Sequence, residues 1–328
     1  MKTSLLQRQV LNPPPMQALS ANTLREILNS IIGYLGGIGI DNPSLNAEIL
    51  MMGALKCKRV SLHTDYGRCL TGEETEYIWR LVQRRASREP LQYITGMQGF
   101  WSLEFKVTPD VLIPRPETEL LIEEALKVVS GQLAVGSCAN RKLVTANYLY
   151  PCPLILDLCT GSGCIAVTLA REIPHAVIYA TDISESALEI AKENAKMHGV
   201  LDRIKFIHGD LFNALDPKPL TPDPISFDII VSNPPYIRTK DIENLEPEVK
   251  GFEPLEALDG GRNGLDVIRK IIEKSHIYLK KDGILMFEIG AGQAVNVMKL
   301  FESSFNYKGI SIIKDYSGIE RVVKAQRI

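Results

Sequence analysis

The stretch Leu154-Ile155-Leu156-Asp157-Leu158-Cys159-Thr160-Gly161-Ser162-Gly163 decides the fold of this 328-residue chain. Five mainly apolar residues read as a buried strand and run directly into a glycine loop. The apolar positions Ile165, Val167, Leu169 and Ala170 then read as a helix. Strand, glycine loop and helix in this order open a doubly wound α/β domain. Gly161 and Gly163 let a ligand approach the backbone closely. The loop is shorter than the dinucleotide fingerprint, because Ala166 stands at the third glycine position. It also lacks the Lys-Ser/Thr of a phosphate-binding P-loop. A two-glycine loop alone is an ordinary turn as readily as a ligand cradle.

Downstream, strand and helix signals alternate through residue 328. The expected strands are 154–158, 177–181, 204–208, 227–232, 283–289, 309–315 and 320–325. The last two are joined only through Ser317-Gly318, which predicts an antiparallel pair closing the sheet edge. Asp182 ends the second strand about twenty residues after the loop, where a carboxylate can accept both hydroxyls of a ribose. Gly209-Asp210 ends the third strand, where an adenine edge would sit. Each carboxylate alone is more often a helix cap or a solvated charge. In an open sheet, however, the three strand ends face one crevice. Without phosphate-binding chemistry, S-adenosylmethionine suits that crevice better than a dinucleotide.

The fourth strand runs into Val231-Ser232-Asn233-Pro234-Pro235-Tyr236. Both prolines lack a backbone N–H and have a fixed φ, and Pro235 pushes Pro234 out of the α region. The Asn233 side-chain carbonyl and the Pro234 backbone carbonyl form two acceptors on a stiff turn, and Tyr236 adds an aromatic wall. Two acceptors at a fixed angle suit a planar NH2 group, either a carboxamide or an adenine amino group.

Toward the N-terminus the pattern changes. Residues 1–19 carry a triple proline and no acidic residue, and are expected to be a flexible tail. Residues 20–90 show helical periodicity at Leu24, Ile27, Leu28, Ile31, Ile32 and Leu35, and again at Tyr77, Ile78, Leu81 and Val82. Asn42-Pro43 offers an N-cap and first-turn proline, and Thr71 with Glu74 has capping-box spacing. This small bundle carries no catalytic constellation, so docking of a protein substrate is its expected role. Arg84, Arg85 and Arg88 read as a solvated helix face. Residues 91–113 read as a β-hairpin linker, with strand signals from Tyr93-Ile94 through Val107. Domain 114–328 follows, with Glu117 or Thr118 as the cap of its first helix. Residues 130–153 read as a surface insertion.

Composition bounds the partners. A net charge of −2 leaves no electrostatic footprint for tight DNA binding. No apolar run reaches the ~20 residues of a membrane span, and the N-terminus lacks the apolar core of a secretory signal. The six cysteines follow no zinc spacing, so reduced thiols in a cytoplasmic protein and no metal are expected.

Four segments together carry a family resemblance. They are Ile113-Pro114-Arg115-Pro116-Glu117-Thr118-Glu119, Asp157 to Gly163, Ser232 to Ile237, and Leu258-Asp259-Gly260-Gly261 with Gly264-Leu265. The chain resembles class I S-adenosylmethionine-dependent methyltransferases, and among them the release factor glutamine methyltransferases. The resemblance implies a helical domain, a hairpin linker and a seven-stranded methyltransferase domain. It implies methyl transfer to N5 of the glutamine in the Gly-Gly-Gln motif of class I peptide chain release factors, with S-adenosylhomocysteine as product. By the same resemblance, Cys159, Thr160, Gly161, Ser162, Gly163, Asp182, Asp210, Leu211 and Asn233 fall at cofactor positions. Asn233, Pro234, Pro235 and Tyr236 fall at glutamine-binding positions, with Asn233, Pro234 and Tyr236 carrying the chemistry. Cys159 departs from the glycine that many relatives have. His208 and His276 are expected to be structural. A ribosomal-protein glutamine is the alternative substrate, and the adenine amino group of DNA a more distant one, since the same tetrapeptide serves both.

Overall fold

The computed structural model describes residues 23–131, 152–215 and 225–328. The expected N-terminal tail and most of the expected 130–153 insertion lie outside the described residues. The chain divides into two compact units. One comprises residues up to Gly96 together with Glu246–Phe252, and the other comprises Met97–Leu245 and Glu253–Ile328.

The described residues of the first unit build helices and no strand. Helix α1 (Leu24–Gly37) starts at a capping box in which the Thr23 hydroxyl and the Glu26 carboxylate satisfy each other's backbone N–H. Its buried residues Leu24, Ile27, Leu28, Ile31 and Leu35 recur at helical spacing. Helices α2 (Pro43–Leu55), α3 (Arg59–Thr64), α4 (Gly72–Ala86) and α5 (Leu91–Thr95) follow. Thr71 and Glu74 form the expected capping box at α4. Asn42 does not cap α2: it sits in the left-handed region at φ 49° and makes no side-chain cap bond. Residues 91–95 are helical rather than extended, because Pro90 starts a turn that Gly96 closes at φ 75°.

Arg85 corrects the reading of a solvated arginine face. It is 8 % exposed and donates to Asn46 Oδ1 at 2.8 Å, to the Glu89 carbonyl at 3.1 Å and to Glu248 Oε1 at 3.0 Å. Glu248 lies on the late helix α9 (Pro247–Phe252) and also pairs with Arg88 at 3.4 Å. A buried guanidinium needs such partners. Helical periodicity could not reveal them, because one partner lies 163 residues away.

The second unit opens on a hairpin, β1 (Met97–Phe100) with β2 (Leu103–Lys106), paired Met97 to Lys106. Helix α6 (Glu119–Val129) leads into a sheet of β3 (Leu154–Leu158), β4 (Val177–Asp182), β5 (Ile204–His208), β6 (Phe227–Ser232), β7 (Leu279–Glu288), β8 (Tyr307–Lys314) and β9 (Glu320–Arg327). Between the strands run α7 (Cys164–Glu172), α8 (Glu185–Met197), the short α10 (Leu255–Leu258), α11 (Asp266–Tyr278) and α12 (Ala294–Glu302). The strand order is β5-β4-β3-β6-β7-β9-β8, parallel through β7 and antiparallel at the last two strands.

This is the expected seven-stranded α/β sheet. The chain proceeds outward from β3 through β4 to β5, then returns to the other side of β3 as β6. Two apolar clusters, one on each face, cover the sheet. The order therefore reverses between β3 and β6, and their carboxyl ends open the crevice where such sheets bind ligands. No helix among the described residues is long and apolar enough to cross a membrane.

Candidate active site

The strand ends at the switch point are tied into one frame. The Thr160 N–H donates to the Thr181 carbonyl at 3.0 Å, and the Gly209 N–H to the Asp182 carbonyl at 2.9 Å. The Ser232 hydroxyl donates to the Leu158 carbonyl at 2.8 Å. The Asp182 carboxylate accepts from the Gly161 N–H at 2.8 Å and the Ser184 N–H at 2.9 Å. Burial pushes this carboxyl above its ordinary range, against the opposing pull of those backbone donors. Asp182 thus holds the glycine loop as well as the end of β4.

The loop has the shape of a cradle. Gly161 has φ 54°, and a Cβ there would meet no atom within 4 Å, so the space above it is open. Gly163, at φ 78°, is closed instead: a Cβ would lie 2.9 Å from the Ala191 Cβ, where α8 presses on the loop. Cys159 is itself left-handed at φ 59°, a backbone conformation that favours glycine. Burial raises the thiols of Cys159 and Cys164, the latter to about 12, so both stay protonated at neutral pH.

Beneath the loop Asp157 is fully buried and receives the Thr160 hydroxyl at 2.6 Å. Its Oδ1 has no hydrogen-bond partner among the described residues. An open cradle, a strand-end carboxylate and no cation on the loop fit an adenosyl group without phosphates. Asp210 stands at the rim of this frame, about half exposed, in a 3.5 Å ion pair with Lys270. Leu211 is buried next to it, at φ 49°.

The Asn233-Pro234-Pro235-Tyr236 turn leaves the end of β6 and is clamped from three sides. Gly260 and Gly264 press on its backbone: a Cβ at Gly260 would lie 2.8 Å from the Pro235 carbonyl oxygen, and one at Gly264 2.3 Å from that of Tyr236. The Gln293 side chain donates to the Tyr236 carbonyl at 2.8 Å. Asn233 Nδ2 donates to the Thr118 hydroxyl at 3.1 Å, which leaves Oδ1 as the end of that amide free to receive a donor. Among the described residues no backbone N–H donates to the Pro234 carbonyl. Two acceptors therefore remain on the turn for one planar NH2 group. Beside Tyr236 a cleft of about 420 Å³ opens, lined by Arg238, Asp241, Asn263, Gly292 and Asn296 among others.

Known proteins share both halves of this architecture. Residues 26–96 match the PrmC N-terminal domain and residues 149–246 the methyltransferase small domain. A release factor glutamine methyltransferase of Geobacter sulfurreducens is 42% identical over 301 residues, covering 92% of this chain and 95% of that protein. The chain belongs to the release factor glutamine methyltransferase family. A second member, from Thermodesulfovibrio yellowstonii, is 40% identical over 282 residues, covering 86% of this chain and 91% of that one. The hMettl16 catalytic domain, solved in complex with a MAT2A 3′UTR hairpin, shares the fold with a TM-score of 0.50 at 15% identity, over 73% of this chain and 80% of that one.

The four segments that carry the family resemblance meet at this site, supplying Thr118, the Cys159–Gly163 loop, the Asn233–Tyr236 turn, and Gly260 with Gly264. Thr118 corrects the expectation of a helix cap: it makes no cap bond to α6, and its hydroxyl donates to Glu288 and accepts from Asn233 of the turn. Sequence reasoning missed three residues. Asn194 on α8 donates to the Ser162 carbonyl at 2.8 Å and to the Lys106 carbonyl at 3.0 Å, joining the loop to the hairpin. Gln293 holds the Tyr236 backbone. Glu288, 1 % exposed at the end of β7, receives the Tyr236 hydroxyl at 2.9 Å and the Thr118 hydroxyl at 2.7 Å. A signal for it existed in the sequence, since an acid closing the apolar run Ile284-Leu285-Met286-Phe287 must find partners.

Proposed function

We propose that this protein transfers a methyl group from S-adenosylmethionine to N5 of the glutamine in the Gly-Gly-Gln motif of class I peptide chain release factors. It would do so in the cytoplasm, where those factors act. The observation that carries the reading is the turn with two acceptors left over, set beside an open glycine cradle within a chain of this family. When bound, S-adenosylmethionine supplies a methyl already activated on a sulfonium.

The chain's task is then to present the nucleophile. An amide nitrogen is poor in this role because its lone pair is delocalised into the carbonyl. Asn233 Oδ1 and the Pro234 carbonyl would each accept one N–H of the substrate amide. These bonds favour a nitrogen turned toward tetrahedral geometry, and they strengthen as positive charge develops there. Tyr236 would wall the amide plane, and the cleft beside it has room for the residues flanking the glutamine. Asp182 would accept the ribose hydroxyls on the lone pairs that Gly161 and Ser184 leave over. The Cys159–Gly163 loop, Asp210, Leu211 and Asn233 would line the rest of the cofactor crevice.

The test is incubation with labelled S-adenosylmethionine and purified release factor, ribosomal protein or DNA, followed by location of the label. Label on the Gly-Gly-Gln glutamine is expected, and label on ribosomal protein or DNA alone would overturn the assignment. Within that assay, Asn233→Ala should lower single-turnover kcat roughly 10²–10³-fold while release factor affinity holds, since the lost acceptor acts mainly in the transition state. A near-wild-type rate would make the turn mere scaffolding.

A further inference from the structure

The two functional side chains of the turn end on one buried carboxylate. Tyr236 Oη donates to Glu288 Oε1 at 2.9 Å. Thr118 Oγ1 donates to Glu288 Oε2 at 2.7 Å, and the same hydroxyl receives Asn233 Nδ2 at 3.1 Å. The direction of each bond follows from the ionised form of Glu288: burial raises its carboxyl, and against that burial two hydroxyl donors and the nearby Arg321 charge favour the carboxylate. That carboxylate only accepts, so Thr118 spends its single proton on Glu288. Its oxygen can then only accept from Asn233, which turns Nδ2 toward Thr118 and Oδ1 away from it. A neutral hydrogen-bonding residue at 288 would not impose this order, because a donor on Thr118 lets the Asn233 amide flip.

From this chain of bonds we propose that Glu288 and Thr118 are positioning residues, which set the donor–acceptor polarity of Asn233 and anchor Tyr236. The inference rests on the function proposed above, because Asn233 matters only if it receives a substrate N–H. Glu288 touches no reacting atom in this scheme. It acts through Thr118 on one side and through the tyrosine hydroxyl on the other, so its loss should spare cofactor affinity and reduce turnover. A merely structural acid would show the reverse: a lower melting temperature and weaker cofactor binding, with the rate per folded molecule intact.

Three variants separate these roles. Glu288→Gln keeps the shape but carries a donor on one of its two sides, so whichever way it turns, one tie loses its acceptor. Thr118→Val is nearly isosteric and removes both bonds of the relay, whereas Thr118→Ser keeps them. Single-turnover methylation of release factor by the full-length enzyme should fall roughly ten- to hundredfold in Glu288→Gln and in Thr118→Val. Thr118→Ser should restore most of the rate, and S-adenosylmethionine affinity should stay within about twofold throughout. Combining Glu288→Gln with Thr118→Val should cost less than the sum of the single losses, because both cut one relay.

A second readout needs no activity. The side-chain NH2 resonances of Asn233, assigned by their absence in Asn233→Ala, should shift in Thr118→Val and return in Thr118→Ser. If Thr118→Val turns over at the wild-type rate, or Thr118→Ser is no better than Thr118→Val, the proposal fails. Should Glu288→Gln not fold, the two Thr118 variants decide alone. A wild-type enzyme that labels no release factor would refute the functional reading instead, and the amide resonances would still test the relay.

Discussion

At the scale of single residues, the two aspartates at the crevice are held differently, Asp157 fully buried and Asp182 partly exposed. Asp157 is wholly buried with one oxygen unpartnered among the described residues, and burial pushes its carboxyl up to about 7, with the nearby Asp182 charge adding a smaller push. Below the ordinary value of 3.8 the carboxyl is neutral in both folded and unfolded chains and costs nothing. Between that value and about 7 only the unfolded chain ionises, so stability falls as pH rises. Asp157→Asn removes this titration. Its stability relative to the wild type should therefore improve between pH 4 and pH 8 by a few kcal/mol, since each tenfold change in proton affinity is worth about 1.4 kcal/mol. Urea melts at both pH values check this, and a pH-independent difference would refute it. Asp182 is different, because both of its oxygens receive backbone N–H groups, those of Gly161 and Ser184. Asp182→Ala should weaken S-adenosylmethionine binding by about 1.5–3 kcal/mol, the worth of charge-assisted hydrogen bonds. It should also loosen the Gly161 and Ser184 N–H groups. Calorimetry together with amide exchange at Gly161 and Ser184 measures both effects, and unchanged affinity would remove Asp182 from the cofactor site.

At the scale of elements, the active turn is a product of close packing between backbones. The Ile237 N–H donates to the Leu258 carbonyl at 3.0 Å, and the Gly260 N–H returns to the Ile237 carbonyl at 2.8 Å. This short parallel bridge lays residues 258–264 against the turn. Gly264 is the tightest point, left-handed at φ 70° and with no room for a Cβ beside the Tyr236 carbonyl. In Gly264→Ala the obstructing atom is backbone, so the turn itself must move. The variant should lose roughly 1–3 kcal/mol of stability and most of its methyl transfer, with S-adenosylmethionine affinity much less affected. Thermal melts, calorimetry and the methylation assay on one preparation would show this split, and full activity would mean that the turn tolerates displacement.

At the scale of the whole molecule, the chain crosses between its two units three times. It leaves the helical unit after Gly96, returns for Glu246–Phe252 and leaves again at Glu253. The returning segment begins ten residues after Tyr236 and carries Glu248, the partner of Arg85 and Arg88. The helical unit contains none of the site residues described above, which supports a role for it in docking the protein substrate. Deleting residues 20–90 should preserve S-adenosylmethionine binding and abolish methylation of whole release factor. Should the remaining fragment bind S-adenosylmethionine and methylate release factor with undiminished kcat/KM, the bundle serves another purpose.

Some of this was legible in the sequence, because it is carried by local pattern. The apolar runs and glycine loop specify β3 and its neighbours through side-chain period and backbone freedom. The order of loop, Asp182 and Asn233-Pro234-Pro235-Tyr236 specifies the crevice, since strand order puts those ends together. Prolines and glycines act on their own φ, so the turn and the cradle are also written locally. What only the tertiary structure decided concerns hydrogen bonds between distant residues. A threonine before a helix resembles a cap, but the Thr118 hydroxyl goes to Glu288, 170 residues away. An arginine on an amphipathic helix resembles a solvated charge, but Arg85 is buried against Glu248. An acid at the end of a strand resembles a solvated terminus, but Glu288 holds Tyr236 and, through Thr118, the amide of Asn233. A polar side chain is compatible with many partners, and only packing, by excluding water, leaves it with one.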